Sequence, residues 1–445
     1  MPGAGGPHER TAVPPYRRTS RAGHRGQAFR RAGRVGAARG TGPFGERPPA
    51  LPAPDGCPNR WRSRTVDSMT GFGGTASPGM VDWNLAVATA TRLVRPGPDV
   101  SRDEARAVVA ELRRHAKASE GHVRGFTRLG TEDTHDTPVL VVDRPGWARA
   151  NVAGFREILR PLLEKMQERR GNSPGSAVLG AVGGKVTGVE LGMLLSFLSS
   201  RVLGQYETFA PATRDLPAGE NGGGRLLLVA PNIVHVEREL DVEPHDFRLW
   251  VCLHEETHRT QFTAVPWLRD HLEGEIQSFL AETDVDPMTF LERIRDAAQS
   301  LAGGRPEGEE EDGGRSLVEL VQTPAQREIL ARLTAVMSLL EGHADYVMDG
   351  VGPSVVPTVA EIREKFQQRR AKGASRLDVA LRKLLGLDAK LKQYRDGERF
   401  VRAVVDQVGV DGFNRVWTSP NTLPTKAEIA KPADWVARVH RKTES

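Results

Sequence analysis

Residues 249–262 read LWVCLHEETHRTQF, and this stretch decides the fold. It holds His254, Glu255 and His258 in the spacing H-E-x-x-H. On an α-helix, residues four apart stand one turn above each other, so both imidazoles can reach a single ion at the ~2.0–2.1 Å usual for zinc. Glu255 is turned about 100° round the helix, away from ligation but within reach of a water at the metal, where a general base belongs. The flanks also specify a helix, with Pro244 near its start, Phe247, Trp250, Val251 and Phe262 on the histidine face, and Pro266 past its end. The plainer alternative is a pair of hydrogen-bonded core histidines, and the interposed glutamate weighs against it.

A catalytic zinc takes a third protein ligand and keeps one position open. The extended metzincin pattern requires glycine at 261 and histidine at 264; Gln261 and Ala264 stand there, which excludes that class. The remaining candidates are Glu273 and Glu275, with His271 nearby, and the segment EGHAD, Glu341 to Asp345. On a helical wheel Leu333, Val336, Met337, Leu340, Ala344 and Val347 make one stripe, with Glu341 at one edge and His343 at the other. A glutamate against an apolar face is costly unless a cation pairs with it. Glu341 is therefore the preferred third ligand, with Asp345 one turn on as the carboxylate that orients a ligating histidine. Glu273, Glu275 and His343 stay open as alternatives.

The chain has 445 residues and a net charge of +5, but the basicity is local. Residues 1–68 carry 13 Arg, no Lys and four acids, which makes them +9 and leaves the body at −4. The body therefore gives no electrostatic invitation to nucleic acid. Residues 1–79, rich in Gly, Pro and Ala, read as a disordered basic leader or as a start placed too far upstream, since Met69 and Met80 precede the first helical pattern. Cys57 and Cys252 are the only cysteines, so no disulfide framework exists, and a cytoplasmic protein is the expectation. No secretory h-region or membrane-spanning run stands out, because the most apolar stretch, Ala177 to Leu203, is broken by Lys185, Glu190 and several Gly.

The body, 80–445, reads as one largely helical domain. Ser101 caps one amphipathic helix with Glu104 three residues on, and Thr323 with Pro324 starts another. GAVGGKVTG, 180–188, has neither the spacing nor the Ser/Thr of a phosphate-binding loop, and reads as packed helix. RLLLVAPNIV, 225–234, reads as a strand stopped by Pro231 and Asn232, and as the edge that would align an extended substrate near Leu226 to Val229. Residues 302–315, AGGRPEGEEEDGGR, read as a flexible acidic loop.

The segments LSFLSSRVLGQYE, LLLVAPNIV, DFRLWVCLHEETHRTQFTAVPWLRDHL, EGHADYVMD, LDAKLKQYRDGERFV and NRVWTSPNTLPT together resemble a family of zincin-like metalloproteases or hydrolases of high-GC bacteria, sometimes associated with deazaflavin cofactor biosynthesis. The resemblance spans roughly residues 80 to 440 and leaves the leader without a counterpart. It implies a zincin-like domain with His254 and His258 as metal ligands, and supplies no substrate. The fold expected is mainly α with a small β element (α+β). The function expected is a zinc metallohydrolase acting on a peptide, with no nucleic-acid or membrane partner, Glu255 as base, and Tyr206, His343 or Tyr346 at the oxyanion. A small-amide hydrolase and a catalytically silent scaffold are the rival readings.

Overall fold

The computed structural model describes residues 81–130, 137–170, 174–209, 217, 224–282, 323–371 and 387–440. The leader expected over 1–79 and the acidic loop expected over 302–315 lie outside the described residues.

Helices begin where the sequence supplies caps. Asp82 accepts from the Leu85 amide to start α1 (Trp83–Leu93), and the Ser101 hydroxyl accepts from the Glu104 amide at 3.0 Å to start α2 (Arg102–Thr127). Next come β1 (Val139–Val142), α3 (Arg144–Arg170), α4 (Pro174–Ser199), β2 (Gly204–Glu207), β3 (Arg225–Val229) and α5 (Ala230–Leu240). The helix carrying the H-E-x-x-H spacing is α6 (Pro244–Ala264), which opens with proline in its first turn. It ends because Pro266 begins α7 (Pro266–Ala281) and has no amide hydrogen to continue the ladder. A full capping box between Thr323 and Gln326 starts α8 (Pro324–Gly350), followed by α9 (Val359–Ala371), α10 (Leu387–Phe413), α11 (Lys426–Ala430) and α12 (Pro432–His440). The described residues are mainly helical with one small sheet, as expected. The Gly-rich stretch around Lys185 lies within α4, as helix rather than phosphate loop.

The sheet corrects one expectation. Its order is β1-β3-β2, with β1 parallel and β2 antiparallel to β3. Strand β3 stops at Val229, and Pro231 sits in the first turn of α5, where its missing amide hydrogen costs nothing. All five β3 residues are buried between two partners, so Leu226 to Val229 have no free main-chain edge for a substrate. The continuous apolar run marks a central strand, not an edge. The edge beside α6 is β2.

Helix α6 is the axis of the core. Its Phe247, Trp250 and Val251 pack with Val108, Leu112 and Ala116 of α2 and Ile233 and Val236 of α5. Burying each large side chain contributes roughly 1.5–3 kcal/mol. On its other side α6 meets α8, which α10 buttresses. That crossing is close because Gly342 and Gly397 face each other: a Cβ on Gly342 would lie 2.1 Å from the Gly397 carbonyl carbon. The glycine of EGHAD thus lets α8 seat against α10 while Glu341 and Asp345 turn toward α6.

Candidate metal centre

The sequence places His254 and His258 one turn apart on α6, and α8 brings Glu341 opposite them. His254 Nε2 and His258 Nε2 are 3.2 Å apart. Glu341 Oε2 lies 3.6 Å from His254 Nε2, and Oε1 lies 3.8 Å from His258 Nε2. A tetrahedral zinc with ligands at ~2.0–2.1 Å separates them by roughly 3.3–3.4 Å, so the two imidazole nitrogens and the Glu341 carboxylate fit one such ion with small side-chain adjustment. They form one of two His/carboxylate groups among the described residues with the spacing to hold a metal ion.

The electrostatics point the same way. Burial alone would lower the pKa of His254, but Glu341, Glu255 and Asp345 more than offset it and raise it to about 9. Burial dominates at His258, where the shift is downward. Three carboxylates around two imidazoles leave an excess of negative charge that a divalent cation would neutralise.

His258 is held from behind. Gln261, fully buried, donates from its side-chain nitrogen to the Leu340 carbonyl at 3.0 Å and to His343 Nδ1 at 3.0 Å. This fixes the amide so that its oxygen, 3.0 Å from His258 Nδ1, must accept a hydrogen from it. His258 Nε2 is then the free lone pair, turned to the site. Asp345 Oδ1 stands 3.5 Å from His254 Nδ1, an atom that is buried without a closer hydrogen-bond partner.

Glu255 is buried beside the histidines, and its burial, reinforced by Glu341, pushes its pKa up to about 7 against the lowering by His254. Its neighbour Glu256 points to the other side of α6, against Arg259, which also binds Glu120 of α2 at 2.7 Å. Of the two consecutive glutamates, only Glu255 lines the cavity.

The other candidates sit elsewhere. Glu275 is paired with Arg332 at 2.9 Å, Glu273 accepts from Gln277 at 3.2 Å, and His271 packs edge-on to Trp267. His343 is buried against Phe413 and Trp417, and its burial lowers its pKa to about 3. It serves Gln261 and does not line the cavity. Tyr346 lies on Phe126 under Arg402; Tyr206 lines the cavity and stacks on Phe262, but its hydroxyl is hydrogen-bonded to the Gly224 backbone, so none of the three oxyanion candidates presents a free donor to the histidines. Cys252 is wholly buried, which pushes its thiol pKa well up and removes it as a nucleophile.

The second grouping is Glu111, His115 and His245. Arg248 already clasps Glu111 and, at 2.5 Å, Glu237, so a cation is built into that cluster, and it reads as the ion-pair tie between α2, α5 and α6.

Sequence reasoning missed two contributors. Gln261 stood only as a mismatch to another motif, although its position three residues after His258 puts it on the same side of the helix. Gly204 gave no signal: a Cβ there would lie 2.5 Å from Glu255 Cδ, a proximity only the folded chain shows.

No helix among the described residues is long and apolar enough to cross a membrane. No curated protein matches the chain. Among solved structures it is similar to a candidate hydrolase with a novel fold from Chloroflexus aurantiacus, at 31% identity and a TM-score of 0.57, over 81% of this chain and 99% of that one. A family model described as zincin-like metallopeptidase matches residues 81–436. The chain belongs to the zincin-like metallopeptidase family.

Proposed function

We propose that the chain is a zinc-dependent hydrolase of peptides, with His254, His258 and Glu341 as ligands and Glu255 as general base. The observation that carries this reading is the convergence of His254 Nε2, His258 Nε2 and the Glu341 carboxylate, separated by 3.2, 3.6 and 3.8 Å, with Glu255 beside them at the same cavity. When bound, zinc would polarise a carbonyl and acidify water. Glu255 takes the proton of the attacking water and hands it to the leaving nitrogen, for which a carboxyl that titrates near neutrality is suited. Asp345 and Gln261 hold the imidazoles in place.

Strand β2 supports a peptide over a small amide. Val229 donates to the Leu203 carbonyl at 2.8 Å, so by antiparallel alternation the main-chain groups of Gly204 and Tyr206 turn away from β3 and toward the cavity. An extended chain pairing there would pass Glu255, and a cavity of about 690 Å³ gives it room. A purely structural zinc site would be closed by four protein ligands; here three converge and a base stands next to them.

The test is Glu255→Gln in the zinc-loaded full chain. Zinc content stays at one per chain, and hydrolysis of a quenched peptide library falls at least ~10³-fold, the scale of losing a positioned base. Loss of the metal in this variant would make Glu255 a ligand, and undiminished hydrolysis would remove it as the base.

A further inference from the structure

The charge of the cavity is gathered at one pole. His254, Glu255, His258, Glu341 and Asp345 stand together, and the remaining acid in the wall, Glu207, is neutralised by Arg225 at 2.5 Å. No lysine or arginine lines the cavity among the described residues. On the flank away from α2 the wall is apolar, with Phe155 and Ile158 of α3, Leu272 and Ile276 of α7, and Leu333 and Met337 of α8. Two of these are unusually open for their kind, Phe155 at 37% and Met337 at 43% exposure.

Large apolar side chains left open beside a polar site are covered favourably by an apolar ligand and unfavourably by a charged one, which would lose its hydration without gaining a partner. Free main-chain edges at Gly204 and Tyr206 would lay a substrate between α6 and this flank, so its side chains next to the reacting bond turn onto it. A free terminal carboxylate would find no described cation to meet it.

We propose that this flank is the specificity subsite, taking a bulky apolar side chain, Leu, Ile, Met or Phe, adjacent to the bond attacked, within the interior of a polypeptide. This rests on the hydrolase reading above and deepens it. Met337 and Phe155 are its selecting residues; neither is a metal ligand, and Met337 stands one turn before Glu341 on α8.

The experiment uses zinc-loaded full-length protein and N-acetyl amino-acid hydroxamates, whose binding is measured by calorimetry without turnover. The leucyl and phenylalanyl compounds bind at least ~10-fold more tightly than the alanyl one, the lower end of what an apolar pocket discriminates, and the aspartyl compound binds more weakly than the alanyl. Met337→Ser, at a half-exposed helix position, erases the leucyl preference while zinc content and acetohydroxamate binding stay unchanged; Phe155→Ser is the second variant if the first fails to fold. Equal binding across the series, or a preference untouched in both variants, overturns the proposal. Quenched peptides separate the two readings. Cleavage indifferent to the neighbouring side chain, or confined to peptides with a free C-terminal carboxylate next to the bond attacked, overturns the subsite and leaves the hydrolase standing. The hydroxamate order without any peptide cleavage supports the subsite and removes the peptidase.

Discussion

Gln261 and His258 form a one-way hydrogen bond: the amide nitrogen is committed to the Leu340 carbonyl and to His343, so the oxygen accepts from His258 Nδ1. The tautomer of the imidazole is thereby set by a residue outside the H-E-x-x-H motif. Replacing Gln261 with Leu keeps the volume close, removes the acceptor and leaves the Leu340 carbonyl short of a partner. Zinc affinity, read by chelator competition, falls ~10–100-fold, the usual effect of losing a group that orients a ligand. An affinity unchanged in this variant would mean that α6 alone orients the ring.

The four carboxylates considered from sequence give a ranking. Glu341→Ala removes a carboxylate whose two oxygens face the two histidines and weakens zinc binding by orders of magnitude. Asp345→Ala costs ~10–100-fold through His254. Glu273→Ala and Glu275→Ala leave the metal alone, since their partners are Gln277 and Arg332. Competition with a chelator in all four variants measures the order, and Glu273 or Glu275 at its head would move the ligand to α7.

The candidate metal pole could be read from the sequence because helical geometry is local. Positions 254 and 258 share a face whatever the rest of the chain does, and the capping signals at Ser101 and Thr323 name their helices in the same way. What lay beyond reach depends on tertiary placement. Four apolar residues at Leu226 to Val229 cannot say whether one neighbour strand or two will cover them, so β3 read as an edge when it is the centre. Helical angle left Glu341 and His343 equivalent, and the close approach of α10 at Gly342 separates them, turning one toward α6 and burying the other against Phe413.

Edge strand β2 is tied to β3 by a buried ion pair. Arg225 is fully buried and donates to Glu207, itself 4% exposed, whose burial pushes its pKa up against the lowering by Arg225. Arg225→Met strands the carboxylate without its cation and destabilises the fold by about 3–5 kcal/mol. The double variant Arg225→Met with Glu207→Leu recovers most of that loss, because an apolar pair of similar volume has no desolvated charge. Denaturant unfolding of the three proteins checks both statements. Equal stabilities of the single and double variants would show that the pair is not coupled.

Gly204 and Glu255 touch across the boundary between strand and helix. A Cβ on Gly204 would lie 2.5 Å from Glu255 Cδ and 2.7 Å from its Oε1, both atoms of a side chain with some freedom to turn. Gly204→Ala therefore displaces the carboxylate and spares the three ligand atoms. Zinc content and chelator competition stay as in the parent, and peptide hydrolysis falls at least ~10²-fold, because a shift near 1 Å at a reacting group is felt on that scale. The variant separates position from chemistry, since Glu255 is present, buried and titratable in both proteins. Gly204→Ala with full activity would mean that the base reaches its water from a rotamer the methyl group does not obstruct, and that the close packing of β2 on α6 serves the fold alone.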